Sequence, residues 1–301
     1  MKSKAGPSVL TDRFMRGWAL PQPLEEGDKE ERGRVLVIGG APEMPGAAVL
    51  AATAALRAGA GKLRIATCRS IAPFVAIALP EARVFAMPET RRGGIALSGS
   101  ADLAKQAGQV NAVLIGPGLV DKTAVDKLMR KLIPLLKDSL VVLDAAALSF
   151  LRQEPESLRG LGGRVILTPH AGEMADLLRV DKEEIARARS AFAKEAAELF
   201  RAVVVLKGAE THIATPEGAV YLNRSGNVGL ATSGSGDTLA GIIAGLAARG
   251  AEPAQASAWA TYLHGRAGDR LAKKIGRLGF LARELLAEIP ILMSGLDPGR
   301  K

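Results

Sequence analysis

One acidic residue, Asp237, closes a run of small residues, Ala231-Thr232-Ser233-Gly234-Ser235-Gly236, and opens an apolar stretch. The run has turn chemistry, with hydroxyls between glycines. From Thr238 the pattern becomes that of an apolar helix, stopped by Gly250 and Pro253. A helix N-terminus leaves backbone N–H groups unpaired and carries a partial positive charge. Glycine lets such a backbone approach an anion without a Cβ in the way. Gly234, Ser235 and Gly236 therefore form a candidate phosphate cradle. An acid beside a phosphate is repelled, so Asp237 needs a reason to be there. Two stand open from these residues alone. Asp237 is a base that strips a proton from a hydroxyl next to the phosphate, or it is a helix N-cap, where Asp is favoured. The stretch is neither a Walker A sequence nor a GxGxxG fingerprint.

The elements that must position this turn read as alternating strands and helices. Short apolar, β-branched runs at Arg34–Ile38, Leu63–Thr67, Ala112–Ile115, Leu140–Leu143, Val165–Leu167 and Val203–Leu206 have the character of buried parallel strands. Helical stretches are expected at 47–57, 121–136, 183–200, 238–249, 254–274 and 280–288. Thr211–Ala214 and Ala219–Leu222 read as an antiparallel hairpin around Pro216-Glu217-Gly218. The expected fold is a three-layer α/β sandwich, a mostly parallel sheet with helices on both faces. Residues 1–33 read as a loosely structured lead-in, 34–290 as a single domain and 291–301 as a tail. Each polar turn follows a strand directly: Gly39-Gly40, Gly116-Pro117-Gly118, Asp144, His170 to Glu173, Lys207-Gly208 and the turn before Asp237. Strand C-terminal ends of an open parallel sheet share one edge, where ligands bind. One crevice can collect all of these groups.

Composition sets the limits. The 301 residues carry a formal charge of +9, are 48% hydrophobic and only 4% aromatic. The basic balance lacks the aromatic interleaving of single-strand nucleic-acid binders, and the cations are scattered apart from pairs such as Arg91-Arg92. A mild attraction for small anions is the reading, with no nucleic acid as partner. Cys68, the one cysteine, excludes an internal disulfide framework and reads as a buried strand end. No window approaches the ~18 apolar residues of a membrane span, and the basic and acidic N-terminus has no signal-peptide pattern. A cytoplasmic protein without membrane association is expected.

Seven segments together carry a resemblance. They are VIGG…PGAAVLAATAALRAGAGKLRIAT (37–67), LIGPGL (114–119), VVLDA (141–145), ILTPHAGEMADLL (166–178), VVLKGAETHIATPEGAVYLN (204–223), GNVGLATSGSGDTLAGIIAGL (226–246) and YLHGRAGD (262–269). In order and spacing the chain resembles the ADP-dependent (S)-NAD(P)H-hydrate dehydratases of the ribokinase-like superfamily. The resemblance implies a repair enzyme. It would phosphorylate the ring hydroxyl of hydrated NADH or NADPH from ADP, lose phosphate to restore the double bond, and release AMP. By the same resemblance Asp237 is the catalytic base. Ala47, Gly118, His170 and Asp237 would contact the hydrated dinucleotide. Lys207, Gly208, Ala209, Glu210, Thr211, Gly234, Ser235 and Gly236 would hold ADP or ATP. Glu173 stands where related kinases order magnesium through water, and Mg2+ is the expected cofactor. Relatives also imply a homo-oligomer and an epimerase activity, expected here on a separate chain.

Each residue also has a purely structural reading. His170 can satisfy a turn, Gly118 and Ala47 can serve packing, Lys207 can be a strand-end lysine, and Glu173 can be a first-turn acid. His212, His264, Asp269, Trp259 and Tyr262 are read as structural. The chain departs from the family pattern at Ala146, where a second Asp is common, and at Glu210, an acid near expected phosphates. Two other functions stay in view: a ribokinase-like ATP-dependent kinase of a vitamin precursor, and a non-catalytic nucleotide-binding relative.

Overall fold

The computed structural model describes residues 6–23 and 29–296. Its strands are β1 (Ser8–Val9), β2 (Arg34–Ile38), β3 (Lys62–Cys68), β4 (Ala82–Met87), β5 (Ala112–Ile115), β6 (Leu140–Leu143), β7 (Val165–Leu167), β8 (Val203–Leu206), β9 (Thr211–Ala214) and β10 (Val220–Asn223). Its helices are α1 (Asp12–Arg16), α2 (Pro45–Arg57), α3 (Ala72–Ala78), α4 (Ser100–Ala107), α5 (Lys122–Leu132), α6 (Ala171–Leu178), α7 (Lys182–Arg187), α8 (Arg189–Phe200), α9 (Ser235–Ala248), α10 (Pro253–Lys274) and α11 (Ala282–Leu296).

The strands form one sheet in the order β1-β10-β9-β8-β7-β6-β5-β2-β3-β4. The seven from β4 to β8 run parallel. β9 reverses direction and β10 reverses again. β5, β6, β7 and β8 are buried along their whole length. Burial on both faces explains why they read as unbroken apolar runs rather than alternating ones. The path leaves β2 toward β3 and β4, then returns through β5 to β8 on the other side. The switch point therefore lies between β2 and β5, where Gly39-Gly40 and Gly116-Pro117-Gly118 leave the sheet. α2 packs on α3 and α9, while α4 packs on α5, α6 on α7 and α7 on α8, the two-sided arrangement that right-handed crossovers produce.

α9 is buried on nearly every side, which suits its lack of charge beyond Asp237. It lies along α2 so closely that a Cβ on Gly241 or Gly245 would overlap the carbonyl oxygens of Ala51 and Ala55. Small residues on both helices allow that approach, and it ties the two N-termini to the same edge of the sheet.

Residues 8–20 of the expected lead-in are ordered against the domain. β1 pairs with β10 at the sheet edge. Met15 is fully buried, and Phe14, Trp18 and Tyr221 pack as an aromatic cluster. The Trp259 indole donates to the Trp18 carbonyl at 2.7 Å, and Gln255 donates to Ala19 at 2.8 Å. Edge capping by a short strand plus aromatic burial holds this segment, which lacks the helical or alternating period that would announce it. The acidic residues at 25–28 lie outside the described residues. The tail expected from 291 is instead the end of α11 as far as Leu296, with 297–301 outside the described residues. The helix expected over 183–200 breaks at Ala188 into α7 and α8. That break places the Arg189 guanidinium against the carbonyls of Leu206 and Lys207, at 3.3 and 2.6 Å.

Candidate active site

α9 starts at Ser235, not Thr238. Gly234 is its N-cap, in the left-handed region at φ 86°. Asp237 is consequently the third residue of the helix, and the N-cap explanation for it does not hold. The cradle is the first turn itself, where backbone N–H groups lack intrahelical partners.

Asp237 shares its surroundings with three other charged groups. Asp144, at the end of β6, is 2% exposed. Its Oδ1 accepts from Lys207 Nζ at 2.8 Å and from Thr168 Oγ1 at 2.7 Å. Lys207 Nζ also lies 3.9 Å from Glu173 Oε2. Burial pushes the Asp237 carboxyl up, and the nearby Asp144 charge pushes it further. Lys207 opposes both, and the result is a value raised to about 6. Burial by itself would lower the Lys207 ammonium. Asp144 and Glu173, the Asp144 hydrogen bond and Asp237 outweigh it and hold Lys207 above its ordinary value. A carboxylate tuned close to neutrality at a helix N-terminus can accept a proton from a hydroxyl at physiological pH.

A cavity of about 680 Å³ opens from Lys207 and Gly236. Of the residues expected to hold nucleotide, it is lined by Lys207, Gly208, Ala209, Thr211, Ser235 and Gly236. Glu210 is not on its wall; its exposed carboxylate pairs with Arg224 at 2.9 Å. That removes the electrostatic objection to an acid at this position. Gly234 serves as the turn below the wall, backed by Leu50 of α2.

His170 lines the same cavity. Its Nδ1 accepts the N–H groups of Gly172 and Glu173 at 3.0 and 3.1 Å, while Glu173 Oε2 accepts the His170 N–H at 2.8 Å. This reciprocal cap realises the structural readings of both residues, and Nε2 of His170 lies 3.5 Å from Glu173 Oε1. Ala47 and Gly118 meet at the switch point. Gly118 has φ 70°, and a Cβ there would stand 2.9 Å from the Ala47 Cβ and 2.6 Å from the Met44 carbonyl oxygen. Packing thus dictates both residues, and it brings them beside α2 at the edge where α9 begins.

Several site residues escaped the sequence reading. Asp144 was visible only as a strand-end acid; its burial and its bond to Lys207 come from tertiary structure. Thr168 and Arg189 fix Asp144 and Lys207 in place. His264, read as structural, lines the cavity and meets Ser235 Oγ at 3.0 Å. Burial pushes its imidazole down to about 4, so it is neutral. Asp269 accepts from the Gly226 N–H at 3.0 Å and Asn227 Nδ2 at 3.2 Å, which clamps the loop forming the outer wall. Positions His264 and Asp269 do not share a ligand; each holds a different loop.

Among the described residues no three His, Cys, Asp or Glu side chains converge as a metal cage. One oxygen of Asp144 is taken by Lys207 and Thr168, and one of Glu173 by the cap. The donor set suits a hydrated divalent cation carried on phosphates, not a resident ion.

Known proteins supply the comparison. The family profile described as NAD(P)H-hydrate dehydratase matches residues 35–291. An ADP-dependent (S)-NAD(P)H-hydrate dehydratase from Xanthomonas campestris is 45% identical over 294 residues, covering 98% of this chain and 99% of its own. A bifunctional NAD(P)H-hydrate repair enzyme from Moorella thermoacetica is 42% identical, and the chain spans 54% of its length. Among solved structures, the ADP/ATP-dependent NAD(P)H-hydrate dehydratase from Bacillus subtilis, co-crystallised with ATP and Mg2+, superposes with a TM-score of 0.80 at 32% identity, covering 97% of this chain and 99% of that one. A ribokinase-like superfamily protein from Enterococcus faecalis gives 0.83 at 28% identity, covering 96% of each.

Proposed function

Because the chain belongs to the NAD(P)H-hydrate dehydratase family, we propose that it carries out ADP-dependent dehydration of (6S)-hydrated NADH and NADPH. The observation that carries the chemistry is a single carboxylate, Asp237, raised to about 6 at the first turn of α9 and next to a nucleotide-sized cavity. ADP occupies that cavity, with its transferring phosphoryl group on the first-turn N–H groups of α9. The hydrated ring lies between Asp237 and the switch-point residues Ala47 and Gly118, with His170 at its side. Asp237 takes the proton of the ring hydroxyl as the hydroxyl oxygen attacks phosphorus, and AMP leaves. Phosphate then departs with its electron pair, the adjacent ring carbon gives up a proton to solvent, and the ring double bond reforms.

Phosphoryl transfer needs position and charge stabilisation more than covalent help. Lys207 supplies a fixed positive charge whose strength Asp144 moderates. Magnesium, when bound, neutralises the phosphates, and Glu173 would hold its water shell. Ala146 leaves Asp144 as the acid of this strand end, and the Asp144–Lys207 pair is complete without a second Asp.

Location in the cytoplasm fits this reading, and the chain spans 54% of the bifunctional repair enzyme from Moorella thermoacetica. Self-association has a physical motive in the side chains of Phe74 and Ile77 on α3, 69% and 81% exposed beside an apolar groove. No helix among the described residues is long and apolar enough to cross a membrane. The test is paired. Wild-type protein given hydrated NADH, ADP and Mg2+ should yield AMP and phosphate in equal amounts, and Asp237→Asn should bind ADP yet yield neither. Equal turnover by Asp237→Asn would exclude Asp237 as the base.

A further inference from the structure

We propose that a second cavity, beside the switch point and lined by Arg91, Arg92 and Lys127, takes the 2′-phosphate of the substrate dinucleotide and selects hydrated NADPH over hydrated NADH. The proposal rests on the dehydratase reading and assigns the far half of its substrate.

The cavity measures about 540 Å³ and is lined by Thr90, Arg91, Arg92, Leu97, Asp121, Thr123, Ala124 and Lys127. Three cationic residues and one acidic residue line it, a net charge of about +2 by formal count, the complement of a phosphomonoester dianion. None of the three cations makes a salt bridge among the described residues. The carboxylate of Asp121 is already engaged: it caps α5 through the Ala124 N–H at 3.2 Å and accepts from Thr90 Oγ1 at 3.0 Å.

The turn that carries the arginines is preorganised. They are the two central residues of a turn closed by Gly93 N–H to Thr90 carbonyl at 3.0 Å and Thr90 N–H to Gly94 carbonyl at 2.7 Å. Thr90 Oγ1 accepts from the N–H groups of Arg92 and Gly94 at 3.3 and 3.0 Å. From below, Cys68 Sγ donates to the Gly93 carbonyl at 3.1 Å. A turn held this firmly fixes the backbone from which two exposed arginine side chains extend, and planar guanidinium forks suit the three free oxygens of a terminal phosphate better than a diester.

Location links this cavity to the ring site. Asp121 follows Gly118 by three residues, at most about 11 Å of chain. Pro42, two residues beyond Gly40, packs on the turn, 2.9 Å from where a Gly93 Cβ would stand. A dinucleotide whose ring sits at Gly118 and Ala47 extends across this distance along the same sheet edge.

The experiment compares wild type with Arg91→Ala/Arg92→Ala and with Lys127→Ala, measuring kcat/KM for hydrated NADPH and hydrated NADH, and binding of NADPH and NADH by calorimetry. Thermal unfolding and ADP affinity check that each variant is folded. Wild type is expected to prefer the phosphorylated cofactor, and the double variant to lose at least tenfold of that preference in both assays. A preference unchanged in the double variant, or a loss shared equally by the two cofactors, overturns the assignment. Absence of turnover by wild type counts against the dehydratase reading alone, since calorimetry still decides this cavity.

Discussion

Asp237→Asn should stabilise the protein while removing its activity. The Asp237 carboxyl is raised to about 6 by burial and by Asp144, whereas the unfolded chain holds it near the ordinary carboxylate value of about 4. Between those two values the folded state binds the proton more tightly. The Asp237 contribution to stability is therefore full below pH ~4 and is lost as pH rises through ~6. Above that point the ionised group costs roughly 3 kcal/mol, and about half of that at pH 5. Asn has the same shape without the charge, so it recovers the cost. For a chain of this size the gain corresponds to a rise in Tm on the order of 5 °C at pH 8. Thermal unfolding of both proteins between pH 4.5 and 8 measures it. The Tm difference should grow with pH and level off above pH 6. A variant less stable than wild type at pH 8, or a difference that ignores pH, would refute the placement of Asp237 as a desolvated, ionisable base.

Other outcomes follow from the same geometry. Asp144→Asn removes a charge that raises Asp237 and frees Lys207 to stabilise its anion, so the acid limb of kcat/KM, expected near pH 6 in wild type, should move to lower pH; a pH–rate profile reads this. Lys207→Met leaves the Asp144 carboxylate buried without its cation and should cost about 3–5 kcal/mol in denaturant unfolding at pH 8. Gly241→Val drives a side chain into the Ala51 carbonyl and should cost at least about 1–3 kcal/mol, with ADP affinity falling as the first turn of α9 shifts. Chelation with EDTA should abolish turnover yet leave the Tm of the nucleotide-free protein unchanged, because the described residues form no metal cage.

Much of this site is legible in the sequence because parallel α/β folds turn chain order into geometry. Strands β2, β5, β6, β7 and β8 are short, apolar and each followed by a polar or glycine turn, which predicts both the sheet and the edge that gathers the chemistry. Asp237 and the glycines before it are contiguous, so local rules reach them. What local rules miss is partnership across the sheet. Asp144 and Lys207 lie 63 positions apart and meet only because β6 and β8 flank β7. His264 reaches Ser235 from a different helix, so its role as the wall behind the first turn has no sequence signature. α9 starts three residues before the expected Thr238 because Ser235 and Gly236 have the character of turn residues, while the left-handed Gly234 supplies the turn by itself. Edge strand β1 is two residues long, and its tie to β10 rests on tertiary aromatic packing that no periodicity reports.

The central claim is most directly tested by the near-ultraviolet absorbance of reduced nicotinamide. Purified protein, (6S)-hydrated NADH, ADP and Mg2+ should restore that absorbance, one reduced nicotinamide for each AMP formed. Consumption of ATP on a small alcohol with no recovery of absorbance from the hydrate would contradict it.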